Sequence, residues 1–327
     1  MHTRSDNICM SGRTESSSDG YIFIVNPNSR SGMGHRIWNM VRPVLNERGI
    51  RYRVFFTKYQ RHAVRIVREL TSDGKCHTIV VLGGDGTVNE VVNGIADLSK
   101  ITLGYIPTGS SNDFARSLRL PTDPLKALDN ILRPSRYLSV NIGVLTYDRN
   151  KKKRRFAVSS GIGFDAGICH EAMVSRMKIL LNRLHLGKLT YVGIALRQIL
   201  SLTPGKITLV LDDTRRLSFD RAYFATAMNC KYEGGGFKFC PNADCCDGLL
   251  DIIVISGLSK FKLLTLLPTA YKGWHTRFRG VYTFTCKKAA ITGITPLPVH
   301  ADGEPVFKQA KAVMSLEAEK LRVIAVP

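Results

Sequence analysis

The chain has 327 residues, 44% of them hydrophobic, with 47 Lys and Arg against 26 Asp and Glu for a formal net charge of +21. That length supports two domains with separate cores, and no stretch approaches the roughly 20 apolar residues of a membrane helix. The basic excess points to an anionic partner, but the absence of a helix-turn-helix pattern, an aromatic RNA-binding signature or zinc-finger spacing argues against nucleic acid.

Residues 1–20 are polar and rich in Ser and lack an apolar signal core, so a disordered tail on a cytoplasmic protein is predicted. The eight cysteines are then expected as reduced thiols, and Cys240, Cys245 and Cys246 lack the CxxC spacing of a zinc site. From Tyr21 the pattern alternates between strand and helix. Strands are predicted at 21–26, 51–57, 78–82 and 101–106, and helices at 34–47, 61–70, 87–96, 112–118 and 124–132. Such alternation predicts an α/β domain with a parallel sheet covered on both faces, in which ligands bind beyond the carboxyl ends of the strands.

After residue 137 strands dominate, at 136–145, 155–160, 206–211, 216–227, 249–256, 281–285 and 289–292. Helical stretches interrupt at 167–200 and 259–271. This predicts a β-sandwich over 138–311 following an α/β domain over 21–137. The last segment, 312–327, alternates as a strand and is expected to return to the first domain.

The most informative string is Gly83-Gly84-Asp85-Gly86-Thr87-Val88-Asn89-Glu90. A buried strand runs into three glycines, and a helix follows. Glycines permit positive φ and close approach of a ligand, successive N–H groups make an anion nest, and the helix N-terminus adds its dipole. A polyphosphate suits such a turn, and Asp85 beside it would need a magnesium ion or a proton.

GGDGTVNEVVNG resembles the catalytic domain of the diacylglycerol kinase family. Further pieces fall in that family's order: Asn26-Pro27-Asn28-Ser29, the stretch Pro107 to Ala115, Gly161 to Asp165, Asp247 to Asp251, and His300-Ala301-Asp302-Gly303-Glu304. The resemblance implies an N-terminal Rossmann-like, NAD-kinase-like nucleotide-binding domain, a C-terminal β-sandwich and ATP in the cleft between them. By motif match Asn26, Pro27, Asn28, Ser29 and Arg30 would line the nucleotide, as would Thr57 at the end of the second strand. Gly83, Gly84, Asp85, Gly86, Thr87, Val88 and Asn89 would hold its phosphates, and Ser110 stands where the family usually has threonine. The resemblance implies two candidates for the base: Glu304, expected as in the bacterial members, with Asp85 and Asp302 assisting, or Asp85 itself, as in the sphingosine kinases. A second Mg2+ is expected at Asp244, Asp247 and the carbonyl of Leu249, oxygen ligands that suit a hard cation.

The implied activity is transfer of the ATP γ-phosphate to a membrane lipid, diacylglycerol first among candidates. Peripheral contact with the anionic inner face of the membrane would be made by the basic helical stretch 173–200 and the cluster Lys151 to Arg155. The loop 231–239, with three glycines, could close over substrate, and an exposed sandwich edge could pair two copies. The alternatives are an NAD kinase-type enzyme with a soluble acceptor, or a non-catalytic binder of anionic lipid.

Overall fold

The computed structural model describes residues 20–148, 151–163 and 203–327; the expected tail at 1–20, apart from Gly20, and the basic helix at 173–200 lie outside them. The first half contains β1 (Tyr21–Val25), α1 (Met33–Glu47), β2 (Tyr52–Phe56), α2 (His62–Thr71), β3 (His77–Gly83), α3 (Asp85–Gly94), β4 (Ile101–Pro107), α4 (Asp113–Ser117) and α5 (Pro124–Leu132). Strands β1 to β4 pair in parallel in the order β2-β1-β3-β4. The period of two in their side chains splits the core. Phe23, Val25, Val80 and Leu82 face Trp38 and Val41 of α1 and Leu128 of α5, whereas Ile22, Ile24, Ile79 and Val81 face Val67 of α2 and Val91 of α3. A strand buried on both faces reads as a continuous apolar run, as β3 does.

The chain then passes through β5 (Arg136–Val140) and enters a second, antiparallel sheet. Its strands are β6 (Gly143–Tyr147), β7 (Lys152–Phe156), β8 (Ser159–Gly163), β9 (Gly205–Leu211), β10 (Arg215–Met228), β11 (Leu250–Ser256), β12 (Val281–Cys286), β13 (Lys288–Ala301) and β14 (Glu304–Leu316). Helix α6 (Lys260–Ala270) lies between β11 and β12. The long strands β10 and β13 are bridged twice, by β9 and by β8. The sheet thereby folds over a core that includes Ile162, Leu209, Ile252, Ile291 and Met314.

Three boundaries differ from the sequence reading. The stretch 136–145 is two strands in different sheets, and it changes sheet at Asn141, whose N–H donates to the Cys245 carbonyl (2.6 Å). Val140, Asn141 and Ile142 are all buried, so the apolar/polar alternation of the sequence runs through the crossing without marking it. The stretch 155–160 is likewise the end of β7 and the start of β8. The final stretch divides as well: residues 312–316 belong to β14 in the second sheet, and β15 (Leu321–Ala325) inserts between β4 and β5 of the first. Divisions at 137/138 and 311/312 therefore fall inside strands.

Candidate functional site

A cleft of about 390 Å³ opens at the carboxyl ends of β1, β2 and β3. Asn26, Asn28, Ser29 and Arg30 line it from the loop after β1, and Thr57 from the end of β2. The β1 loop is held from inside. Asn26 donates from Nδ2 to Thr87 Oγ1 (3.1 Å) and accepts the Asn28 N–H (3.1 Å), while the Ser29 and Thr108 hydroxyls pair at 2.7 Å. Arg30, Ser31 and Gly32 are all left-handed, which folds the loop back onto α1. Gly34 is dictated by contact, since a Cβ there would sit 1.9 Å from the Asn26 carbonyl oxygen.

Helix α3 begins at Asp85, inside the glycine string, with extended Gly84 as N-cap and no side-chain cap. Gly84, Gly86 and Thr87 line the cleft, so the uncapped first turn opens onto it, an arrangement that attracts anions. The glycines do not serve through positive φ as the sequence suggested, for none of the three is left-handed. They serve through proximity. A Cβ on Gly83 would come within 2.5 Å of the Thr87 side chain, and one on Gly84 within 3.0 Å of Gly109 Cα.

Several expected phosphate contacts lie elsewhere. Asp85 turns away from the cleft and accepts the N–H groups of Asp113 (3.0 Å) and Phe114 (3.1 Å) at the start of α4. Burial, and then the neighbouring Asp113 carboxylate, push its pKa up to about 7. Val88 is buried in the core and donates its N–H to the Gly84 carbonyl. Asn89 is buried between the two sheets, donating to Asp302 Oδ2 (2.8 Å) and the Arg155 carbonyl (3.0 Å) and accepting from Arg154 Nη2 (3.0 Å). Gly83 is the buried end of β3, and neither Pro27 nor the exposed Ser110 lines the cleft, which its neighbour Gly109 does.

Glu304 comes from the second sheet. Asp302 (φ 50°) and Gly303 (φ 75°) form the two-residue turn joining β13 to β14, with Ala301 opposite Glu304. Two left-handed residues in a row favour Asp-Gly. The hairpin tip is pressed between the domains. Asp302 accepts four hydrogen bonds, from the N–H groups of Ala157 (2.7 Å), Val158 (2.7 Å) and Ser159 (3.0 Å) and from Asn89. These bonds fasten the tip, and Asp302 is not among the residues lining the cleft. One step on, Glu304 faces the cleft, accepts from Gln60 Nε2 (3.0 Å), and brings Oε1 to 3.6 Å from where a Gly86 Cβ would be.

Sequence reasoning missed Lys58, Tyr59, Gln60, Glu90 and Gly109 on the cleft wall, and Arg154 behind it. The strand-end rule that found Thr57 extends to Lys58, Tyr59 and Gln60. Glu90 caps α2 through the Arg61 and Ala63 N–H groups. Of the basic cluster, Lys151, Lys152 and Lys153 are exposed. Arg154 instead reaches Asn89, and Arg155 binds Glu317 (2.6 Å) and the Val92 and Ile95 carbonyls at the end of α3. The loop 231–239 is tied down rather than loose: Gly235 donates its N–H to Asp113 Oδ2 (2.8 Å), and the Arg116 guanidinium lies over the Tyr232 ring.

Asp244 and Asp247 sit together in a turn before β11, each Oδ1 accepting a local N–H, from Cys246 and Leu249. Burial, then Asp247 and Asp244, raise the Asp251 pKa to about 6. The oxygens of Asp244 and Asp247 are of the type that suits a hard divalent cation, but the group of three potential metal ligands found among the described residues joins Asp244 to the Cys245 and Cys246 thiols, all within 4.8 Å. Among the described residues no helix is long and apolar enough to cross a membrane.

Comparison with known proteins accounts for both halves. Residues 20–142 match the diacylglycerol kinase catalytic domain, and residues 159–325 match the YegS C-terminal NAD kinase beta sandwich-like domain. The candidate lipid kinase YtlR of Bacillus subtilis is 30% identical over 87% of this chain and 93% of its own length. A diacylglycerol kinase of Mycobacterium tuberculosis is 34% identical over 69% of this chain and 70% of its own. A crystal structure of a candidate diacylglycerol kinase from Bacillus anthracis superposes with a TM-score of 0.74 at 25% identity, covering 94% of this chain and 98% of that one. With its α/β half, its sandwich half and the hairpin that brings Glu304 to the α3 N-terminus, the chain belongs to the diacylglycerol kinase family of lipid kinases.

Proposed function

We propose that the protein transfers the γ-phosphate of ATP to the hydroxyl of a membrane lipid, diacylglycerol foremost. The observation that carries the reading is the placement of the Glu304 carboxylate directly over the uncapped first turn of α3. One holds the acceptor hydroxyl's proton, the other holds phosphate, and phosphoryl transfer needs the two in line. The lipid oxygen attacks the γ-phosphorus, the bond to the β-phosphate oxygen breaks, and the hydroxyl proton passes to Glu304 as ADP leaves.

The chain's own groups divide the remaining work. The N–H groups at the start of α3 and the cationic Arg30 and Lys58 on the cleft wall balance the polyphosphate charge. Gln60 orients the Glu304 carboxylate, and Asp302 fixes the hairpin that carries it. A magnesium ion, when bound, neutralises phosphate charge, and Asp244, Asp247 and the Leu249 carbonyl would hold a further one away from the cleft. The test is transfer of labelled phosphate from ATP to a panel of dispersed lipids, and to NAD, with and without magnesium. Labelled phosphatidic acid is the expected product; label appearing in NAD alone would overturn the proposal.

A further inference from the structure

From Ile252 to Ala301 the chain carries no Asp or Glu but seven Lys and Arg, where its average composition would place about four acids. Into this stretch also fall six of the eleven large apolar side chains left exposed among the described residues: Ile294 on β13, and Phe261, Tyr271, Trp274, Phe278 and Tyr282. The last five are set on neighbouring elements. Helix α6 buries Leu263, Leu266 and Ala270 and turns Phe261, Thr265 and Pro268 outward at helical spacing. A 3₁₀ turn (Trp274–Arg277) packs against α6, and β12, the edge strand of the sheet, follows. Phe261 is 76% exposed and Trp274 51%. Exposed Lys262, Lys272, Arg277 and Arg279 surround them, and the Lys272 ammonium lies 4.9 Å from the Trp274 ring centroid.

From this juxtaposition we infer that the face built by α6, the 3₁₀ turn and β12 docks the protein on an anionic bilayer. Aromatic rings with basic neighbours and no carboxylates match a lipid interface chemically, where rings enter the headgroup layer and cations meet lipid phosphates. Asp220, next to Phe219 whose ring lies against Tyr282, is itself held by Lys206 at 3.1 Å. The surface also connects to the site. Tyr271 donates to the Gly235 carbonyl (3.4 Å), Gly235 donates to Asp113, and the Asp113 N–H donates to Asp85 at the foot of α3. The inference deepens the proposed lipid reading by naming the surface through which the enzyme meets its substrate's membrane.

The test uses co-flotation with phosphatidylcholine vesicles, with and without phosphatidylglycerol, and the fluorescence of the two tryptophans. Trp38 is already buried at 3% exposure, so a blue shift on vesicle addition reports Trp274. Binding is expected only with phosphatidylglycerol, weakening about fivefold for each cation removed in Lys272→Gln and Arg277→Gln. Phe261→Ser should weaken it at every salt concentration, and Trp274→Phe should abolish the blue shift while binding persists. Circular dichroism establishes that each variant is folded. Unchanged vesicle binding in the folded variants overturns the inference, as does patch-dependent binding of an RNA oligonucleotide with no vesicle binding. Phosphorylation of a water-soluble short-chain diacylglycerol separates the two proposals. If it persists in variants that no longer bind vesicles, both stand; if vesicle binding depends on the patch while no lipid is phosphorylated, only the proposed function fails.

Discussion

Replacing Asp302 by alanine separates a fastening carboxylate from a reacting one. The side chain accepts three backbone N–H groups from the β7–β8 turn and the Asn89 amide at 2.7 to 3.0 Å. Hydrogen bonds to a charged acceptor contribute about 1.5–3 kcal/mol each. Four at the lower end make about 6 kcal/mol, and if water recovers half, about 3 kcal/mol remains lost. For a chain of 327 residues that lowers Tm by roughly 4 °C. Asp302→Asn is expected to fall between, because an amide turned either way sets its NH₂ against two donors. The assay is thermal unfolding followed by circular dichroism, with activity measured well below the transition. A variant with wild-type Tm and no activity would refute the reasoning, since it would make Asp302 a participant in the chemistry rather than the anchor of the hairpin.

Glu304→Gln is the counterpart: its Tm should stay close to wild type, while turnover falls about 100-fold or more, measured as phosphate transfer at saturating ATP. Gly86→Ala and Gly34→Ala should diverge. A Cβ on Gly86 meets only Glu304 at 3.6 Å, whereas one on Gly34 strikes the Asn26 carbonyl at 1.9 Å, so the first should raise the KM for ATP in a stable protein and the second should lower Tm. Asp85 predicts a pH dependence. Its folded pKa of about 7 lies above the ordinary 3.8, so the native state holds the extra proton between those values, and its contribution to stability falls as pH rises from about 4 to 7. The shift bounds the effect at about 4 kcal/mol. Urea unfolding across that range should show the decline, and Asp85→Asn should flatten it; equal slopes in both proteins would exclude Asp85 as the source.

The α/β half was legible because its signals are local. β3 is a buried run, α1 and α2 have apolar residues at helical spacing, and the glycine string sits where the strand meets the helix. What sequence could not supply was direction. Asp85 and Glu90 stand in the motif beside the phosphate turn, yet both reach sideways to cap α4 and α2, and nothing in a linear string says which way a carboxylate points. Asp302-Gly303 read alone as a surface hairpin turn, and as geometry it is one; only contacts with Asn89, more than two hundred residues away, place it at the domain junction. Arg154 and Arg155 looked like part of a solvated basic tip because alternation in β7 was masked by five consecutive cations, of which only these two turn inward. The long β13–β14 hairpin was truncated because Pro296 and Pro298 interrupt the pattern in residues that still pair as strand.

The place of β15 constrains the order in which this molecule can be assembled. Among the described residues β5 has β15 as its sole neighbour in the six-stranded sheet, and β15 also covers the side of β4 that faces away from β3. A ribosome that has released the whole α/β region has therefore not yet made the strand that finishes it. Until Leu321–Ala325 emerges, β4 offers an open edge and β5 has no partner to join it to that sheet. Completion of the α/β half waits on synthesis of the entire sandwich, so the two halves are expected to reach the native state together rather than in turn.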